Sequence, residues 1–202
     1  MVFKIGLILA SYLIGSIPTG LLLGRAFAKI DIREHGSHNI GATNVYRSAG
    51  KMPGVLTLFG DTVKGFLPVY LVYAITGSET WTSLSALATF LGHLYPVYLK
   101  FSGGKGVATG FGVFLFLAPR ILIFCLGVFF VILVLFRYVS LSSMSAALAL
   151  PLFMIFSPGS HPRIYSVTAA LLAIMIIVRH KENIKGIIKG EEHKIGKKVL
   201  KR

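Results

Sequence analysis

Three short polar stretches interrupt a chain that is otherwise strongly apolar. They cover residues 36–47, 102–109 and 179–183, and each combines cationic side chains with glycines or small hydrogen-bonding residues. Converging backbone amides beside Arg or Lys side chains are suited to holding phosphate groups. Polar groups placed beside a membrane cost free energy and therefore indicate a function. If the three stretches lie on one face of the membrane, we expect them to form one anion-binding site.

In the first stretch, Gly36 and Gly41 bracket small polar residues, and Arg47 follows. Glycine lets the backbone turn so that successive N–H groups face an anion. The guanidinium of Arg47 matches two phosphate oxygens. The further candidates for anion binding here are Ser37, Asn39, Thr43 and Asn44, which add hydroxyl and amide donors. The alternative is a capped helix start, with Asn or Thr as the cap and Arg47 reaching lipid headgroups.

The second stretch is a glycine-rich turn before an apolar helix, formed by Gly103, Gly104, Lys105 and Gly106. Such a turn favours anion binding through free amides and the helix dipole, and Lys105 adds a full charge. It is not a nucleotide P-loop, because Gly106 follows Lys105 where Ser or Thr is required. Gly106 and Gly110 also form a G-x-x-x-G pair, which is typical of close helix packing.

The third stretch lies where the last apolar segment ends. His180 titrates near neutral pH, and Asn183 would share a helical face with it. The alternative is a polar helix end with a belt of interfacial cations. Three more polar residues fall within apolar segments, and we expect them to support the site structurally rather than act in chemistry: Asp61, Lys64 and His93.

The composition indicates a helical membrane protein. Of 202 residues, 54% are hydrophobic and 14% are charged, and the mean hydropathy is +0.76. We predict an all-α, polytopic chain in a single domain, 1–202, with about seven transmembrane helices. The predicted helices are 4–25, 53–76, 82–99, 106–118, 121–136, 141–156 and 164–179, with a tight turn at Pro119 and Arg120 and a loop at 158–162. Cys125, the single cysteine, is expected to be a buried, inert thiol.

The distribution of basic residues predicts the orientation. With seven spans, most of the 21 Lys and Arg residues fall on one face, and only Lys4, Arg120 and Arg163 fall on the other. This excess marks the cytoplasmic side, so the N-terminus would be outside and the C-terminus cytoplasmic. All three polar stretches then lie on the cytoplasmic face. The basic tail from Lys194 is expected to contact anionic lipid, and nucleic-acid binding does not suit so apolar a chain.

Several mechanisms lack residues to carry them out. The only aspartates are Asp31 and Asp61, so the chain has no His-x-x-x-x-Asp acyltransferase motif, and it also has no G-x-S-x-G nucleophile elbow. No His, Asp or Glu cluster has convincing metal-ligand spacing, and we predict no metal and no cofactor. A transporter of anions or organophosphates is the alternative class, although its site would lie near the midplane, often between repeated halves.

The chain resembles the bacterial integral-membrane acyl-phosphate–glycerol-3-phosphate acyltransferases. The matching segments run along almost the whole sequence: 15–20, 36–47, 61–65, 91–93, 103–109, 180–184 and 190–196. Their order and spacing make the resemblance specific. One departure is His38, where many relatives have glycine.

The resemblance implies transfer of a fatty acyl group from acyl-phosphate to the 1-hydroxyl of glycerol-3-phosphate, yielding lysophosphatidic acid and phosphate in the first step of phospholipid synthesis. It implies a multi-pass protein of the bacterial inner membrane, with the site facing the cytoplasm and no obligatory protein partner. The acyl-phosphate would lie against the residues Asn39, Gly41, Ala42, Thr43, Asn44, Gly103, Gly104, Lys105 and Gly106. The glycerol-3-phosphate would lie against Ser37, Arg47, Lys105, His180 and Asn183, of which Arg47, Lys105, His180 and Asn183 are the catalytic candidates.

Acyl-phosphate is already an activated anhydride, so the enzyme mainly has to align two anions that repel each other. The proton of the attacking hydroxyl can pass to the donor's own phosphate, in a substrate-assisted reaction without an acyl-enzyme. The rival is His180 as general base.

Overall fold

The structure, a computed structural model, is helical in the residues it describes, which are 1–157, 159 and 161–196, and these contain no strand. In that part of the chain the α-helices are α1 Val2–Gly15, α2 Thr19–Ala28, α3 Ala42–Ala49, α4 Lys51–Thr76, α5 Glu79–Leu94, α6 Val107–Leu117, α7 Pro119–Phe136, α8 Val139–Ile155, α9 Arg163–Arg179 and α10 Lys181–Lys189. The predicted all-α class is confirmed. Part of the predicted loop at 158–162 and the end of the basic tail, 197–202, lie outside the described residues.

The predicted first helix, 4–25, is divided in the structure. α1 ends at Gly15 and α2 begins at Thr19. Pro18 causes the break, because proline lacks an N–H donor and disfavours the helical conformation of the residue before it. The freed carbonyl of Ile17 accepts a hydrogen bond of 2.7 Å from Lys64 Nζ on α4. A buried cation therefore compensates the backbone interruption.

Two prolines also correct the predicted boundaries of later helices. α5 was expected to reach residue 99, but it ends at Leu94, and Pro96 is followed by a 3₁₀ turn over Val97–Leu99. The predicted turn at Pro119 is misplaced, since Pro119 is the first residue of α7. Proline is well tolerated there because the first helical N–H needs no intrahelical partner.

Two helical features at the polar stretches were not predicted. The first stretch contains α3, a short helix in a segment expected to be a loop with at most a helix start. The last predicted helix, 164–179, continues as α10 after a bend of 53° at His180. Both helices bring polar residues to the ends of the long apolar helices.

Small residues allow the long helices to approach closely. A Cβ atom added to Gly15 would lie 2.1 Å from the carbonyl oxygen of Thr89, and one added to Gly65 would lie 2.2 Å from that of Thr109. These contacts seat α1 against α5 and α4 against α6, as is usual in membrane helix packing. The apolar core lies among α4 to α9 and includes Phe90, Phe114 and Leu172, all nearly inaccessible.

Three helical segments are long and apolar enough to cross a membrane: Val2–Ala28, Lys51–Thr76 and Pro119–Phe136. The bent pair α9 and α10 would make a fourth, and α6 and α8 are apolar but shorter. These segments fit a multi-pass membrane protein. The count of seven spans and the orientation of the termini stay predictions.

Candidate active site

The second and third polar stretches contact each other directly. Arg179, at the end of α9, donates from Nη2 to the carbonyl of Gly103 at 2.7 Å and from Nε to that of Gly104 at 3.1 Å. The amides of the same two glycines donate to the carbonyls of Leu94 and His93 at the end of α5. Those glycine amides are therefore occupied, although the sequence suggested them as free anion ligands.

The turn delivers Lys105 to α10. Lys105 Nζ donates to Asn183 Oδ1 at 2.5 Å, and Asn183 Nδ2 donates to Glu192 Oε1 at 2.8 Å. Ser140 at the start of α8 donates to the same carboxylate oxygen at 2.6 Å. Lys105 and Asn183, each predicted separately as a glycerol-3-phosphate ligand, are thus in contact, and the Glu192 carboxylate orients the amide of Asn183.

The ammonium of Lys105 is in an unusual environment for a lysine. Burial is the main influence and lowers its pKa. The nearby positive charges of Arg179 and Arg47 lower the pKa further, whereas the carboxylate of Glu192 opposes them. A cation held among other cations is poised to accept an anionic ligand, because binding the anion removes the repulsion.

The ring of His180 is buried at the joint between α9 and α10, with 3% of the residue exposed. Nδ1 lies 2.8 Å from the carbonyl oxygen of Ile176, and because a carbonyl only accepts, Nδ1 carries the proton. In the neutral ring, Nε2 is then the acceptor. His180 can accept a hydrogen bond from a hydroxyl group while its orientation is fixed by the helix.

The first stretch is organised around Asn44 on α3, which is 2% exposed. Its Nδ2 lies within 2.8–3.0 Å of three carbonyl oxygens, and its Oδ1 accepts from the Ser37 amide at 2.9 Å. The three carbonyls belong to Ile32, His35 and Asn39. All polar atoms of this side chain are occupied within the loop. Asn44, predicted as an acyl-phosphate ligand, therefore shapes the loop in this structure.

Residues next to Asn44 fix the rest of the loop. Asn39 Oδ1 accepts from the Gly41 amide at 2.9 Å, and Gly41 is the N-cap of α3, directly before Ala42. His38 has φ +54°, a left-handed conformation that favours glycine. Its Nδ1 lies 2.8 Å from the carbonyl oxygen of Arg33, and this hydrogen bond helps to hold the conformation. The departure from glycine at this position is thus accommodated.

Three predicted ligands of the first stretch are exposed and able to meet a substrate: Ser37, Thr43 and Arg47. The structure shows no direct side-chain contact between them and the other two stretches within the described residues. Arg47 nevertheless lies near enough to Lys105 for its positive charge to contribute to the lowered pKa of that ammonium, which connects the first stretch with the second.

A cluster of ions that the sequence did not highlight holds the entry to the first stretch. The carboxylate of Asp31 accepts a hydrogen bond of 3.0 Å from Arg25. It also accepts two from the guanidinium of Arg33, at 2.6 and 2.9 Å, in a bidentate contact. Hydrogen bonding to Arg33 holds the pKa of the Asp31 carboxyl well below its usual range. The loop is therefore fixed to α2 by the contact of Asp31 with Arg25, in addition to the hydrogen bonds that Asn44 makes within the loop.

The three polar residues within apolar segments form a buried group. Lys64 Nζ lies 2.8 Å from Asp61 Oδ1, and His93 Nδ1 lies 3.8 Å from the same oxygen. All three side chains are at most 6% exposed. They connect α4 with α5 and, through Ile17, with the break between α1 and α2. This arrangement fits the structural role expected from the sequence.

Sequence reasoning missed three residues of this region: Ser140, Arg179 as a binding partner of the turn, and Glu192. Glu192 was noticed only as part of the closing segment 190–196, which folds back so that the Ile195 amide donates to the Arg137 carbonyl at 2.8 Å. Only one signal was available, namely that acidic residues are scarce in this chain. Among the described residues, no group of three or more His, Cys, Asp or Glu side chains could hold a metal ion.

A polar, cation-containing cluster at the helix ends of an apolar all-α bundle defines the class as a helical membrane protein. The glycerol-3-phosphate acyltransferase family model matches residues 5–190. Glycerol-3-phosphate acyltransferases from Trichlorobacter lovleyi and Syntrophotalea carbinolica are 48% and 47% identical, each over 93% of this chain and 95% of the relative. The chain belongs to the glycerol-3-phosphate acyltransferase family.

Solved structures agree with this assignment. The crystal structure of PlsY, described as an integral membrane glycerol 3-phosphate acyltransferase in its glycerol 3-phosphate form, has a TM-score of 0.90 and 38% identity, covering 96% of each chain. The lysophosphatidic acid form of the same protein has a TM-score of 0.85, with 96% of this chain and 95% of that chain covered. This chain is an integral-membrane acyltransferase, and the transporter alternative is not retained.

Proposed function

We propose that this acyltransferase moves a fatty acyl group from acyl-phosphate to the 1-hydroxyl of glycerol-3-phosphate. The products are lysophosphatidic acid and inorganic phosphate, and the reaction is the first step of phospholipid synthesis. The observation that carries the proposal is the contact of Lys105 with Asn183 beside Arg179 and His180. Relatives described as glycerol 3-phosphate and lysophosphatidic acid forms support the acceptor and the product.

The charge distribution favours two phosphate-bearing substrates. Arg179 and Arg47 place positive charge near Lys105, and Glu192 is the nearby carboxylate. We assign Lys105, Asn183, His180, Ser37 and Arg47 to glycerol-3-phosphate. The acyl-phosphate headgroup lies near Thr43, the Gly103–Gly106 turn and Lys105, where the first turn of α6 has N–H groups without intrahelical partners.

The reaction needs no enzyme nucleophile. The 1-hydroxyl oxygen attacks the acyl carbonyl carbon, and the bond between that carbon and the phosphate oxygen breaks. The proton of the hydroxyl passes to the departing phosphate, so atoms and charge balance without a general base. Lys105 stabilises the negative charge that develops, and Nε2 of His180 orients the hydroxyl by accepting its hydrogen bond.

We further propose that the protein lies in the inner membrane with this site facing the cytoplasm. Glycerol-3-phosphate can then enter from the cytoplasm, and the product phosphate can leave to it. The excess of basic residues on that face supports the orientation. The reaction requires no cofactor and no partner protein in this proposal.

A transfer assay tests the donor. Purified protein in lipid vesicles is incubated with labelled glycerol-3-phosphate and either palmitoyl-phosphate or palmitoyl-CoA. We expect labelled lysophosphatidic acid and an equal amount of phosphate with palmitoyl-phosphate, and none with palmitoyl-CoA. Product formation from palmitoyl-CoA alone would contradict the proposed donor.

The same assay with the Lys105→Ala variant tests the assigned phosphate site. Near-full activity in that variant would refute the assignment.

A further inference from the structure

Buried His93 is separated from the candidate phosphate ligands by one backbone turn. The residue is 3% exposed on α5. Its Nδ1 side faces the carboxylate of Asp61, at 3.8 Å. Its Nε2 side faces Gly104, because a Cβ atom built there would lie 2.1 Å from Nε2 and 2.8 Å from Cε1. The ring therefore fills the space between a buried ion pair and the glycine turn.

The turn itself is held from two further directions. The amides of Gly103 and Gly104 bind the end of α5, and their carbonyls bind Arg179 on α9. The next residue is Lys105, whose ammonium reaches Asn183. A shift of the turn is thus transmitted over one residue to the proposed phosphate ligand.

We propose that His93 is a positioning residue of the acyltransferase reaction: it sets how closely the Gly103–Gly104 turn approaches α5 and thereby places Lys105. Gly104 is glycine because the His93 ring occupies the place of a side chain. The inference rests on the proposed role of Lys105 in phosphate binding. Asp61 and Lys64 hold the far side of the ring, and Lys64 is held in turn by Ile17.

The two glycines of the turn provide a matched pair for a test. A Cβ atom at Gly104 meets only the His93 ring among its near contacts. A Cβ atom at Gly103 instead meets the carbonyl oxygen of His93 at 2.2 Å and Pro96 Cδ at 2.4 Å. Shortening the side chain of His93 can therefore make room at Gly104 and cannot make room at Gly103.

The experiment measures kcat and both KM values, together with thermal unfolding in detergent, for Gly104→Ala alone and combined with His93→Asn. Asparagine keeps a polar group on the Asp61 side and removes the ring atoms that face Gly104. We expect Gly104→Ala to lower kcat/KM about 100-fold, the effect of a misplacement of about 1 Å. The double variant should recover at least about tenfold of that loss, with KM for the phosphate substrates returning toward its original value.

Two controls make the outcome decisive. His93→Gln, which keeps the length of the side chain, should not rescue Gly104→Ala, and His93→Asn should not rescue Gly103→Ala. If Gly104→Ala alone does not fold, rescue is scored as the yield of folded protein that the double variant gives in detergent. Independent or worse-than-independent losses in the Gly104→Ala and His93→Asn pair would overturn the proposal, as would equal rescue of Gly103→Ala. Failure of the phosphate-site assignment is detected separately, by Lys105→Ala retaining its rate.

Discussion

Asn183 shows how a single amide can connect two halves of a site. Its oxygen accepts from the Lys105 ammonium, and its nitrogen donates to the Glu192 carboxylate. Because an amide has a fixed donor side and a fixed acceptor side, these partners determine its orientation. The position of the Lys105 ammonium is thereby fixed, and its positive charge is only partly compensated because its direct partner is a neutral amide. That combination favours capture of a phosphate group.

His180 separates the two mechanisms left open by the sequence. In a substrate-assisted reaction, His180→Gln should raise KM for glycerol-3-phosphate about tenfold, the loss of one hydrogen bond to a charged or polarised group. It should leave kcat within about threefold, because proton transfer does not depend on it. Steady-state kinetics with both substrates varied provides the measurement. A fall in kcat of about 100-fold or more at unchanged KM would instead support a general base.

Because the ammonium of Lys105 is buried, we expect enzyme activity to depend on pH on the alkaline side. Burial lowers its pKa from the ordinary value of 10.5, so the ammonium loses its proton at a lower pH than an exposed lysine would. Activity that requires the ammonium should fall as pH rises through that lowered pKa. Lys105→Arg should abolish this fall, because a guanidinium stays charged throughout the range.

The corresponding measurement is a profile of kcat/KM for glycerol-3-phosphate from neutral to alkaline pH, corrected for uncatalysed hydrolysis of the donor. Identical alkaline limbs in the original enzyme and the Lys105→Arg variant would contradict the assignment.

At the scale of elements, prolines and polar side chains decide where the apolar helices stop. The long segments were predictable because apolar runs bounded by Gly and Pro signal helices. Pro18 and Pro96 signal the break at Ile17 and the early end of α5 at Leu94, but the partners of the freed backbone groups are distant in sequence and could not be predicted. The added helix α3 depends on contacts of Asn44 with the preceding loop. Lys64 donates to the Ile17 carbonyl that the first break leaves free. The amides of Gly103 and Gly104 donate to the carbonyls at the end of α5.

The conformation of the first loop should depend on Asn44. Asn44→Ala leaves three carbonyls and the Ser37 amide without this partner, and a buried unsatisfied polar group costs about 1–3 kcal/mol. We expect a loss of about 3 kcal/mol in unfolding free energy. Thermal unfolding in detergent provides the measurement. Ser48→Ala is the control, because its hydroxyl lies 3.5 Å from Asn44 Oδ1 and contributes little. Similar unfolding temperatures for both variants would refute the role of Asn44.

At the scale of the whole molecule, the sequence predicted which residue types would form the site and could not predict how they meet. The contact of Lys105 with Asn183 joins residues 78 apart, and Glu192 joins Ser140 from 52 residues away. Neither pair has a local sequence signal. Conversely, Asn44 was assigned to substrate because amides bind phosphate, whereas the fold uses its polar atoms internally.

The predicted orientation can be tested with cysteines at exposed positions in a Cys125→Ala background. Glu34 lies beside the first polar stretch, and Thr80 lies at the start of α5; both are exposed. If the site faces the cytoplasm, a membrane-impermeant maleimide should label Thr80→Cys in intact cells and Glu34→Cys only after permeabilisation. The reverse pattern of labelling would place the site on the outer face.

The central claim is that the acyl group passes directly between two phosphate-bearing substrates bound at one site. Initial rates measured while both palmitoyl-phosphate and glycerol-3-phosphate are varied test this claim most directly. Direct transfer predicts double-reciprocal lines that intersect, because both substrates are bound before phosphate leaves. Parallel lines, together with exchange of labelled phosphate into palmitoyl-phosphate without glycerol-3-phosphate, would demonstrate an acyl-enzyme and contradict it.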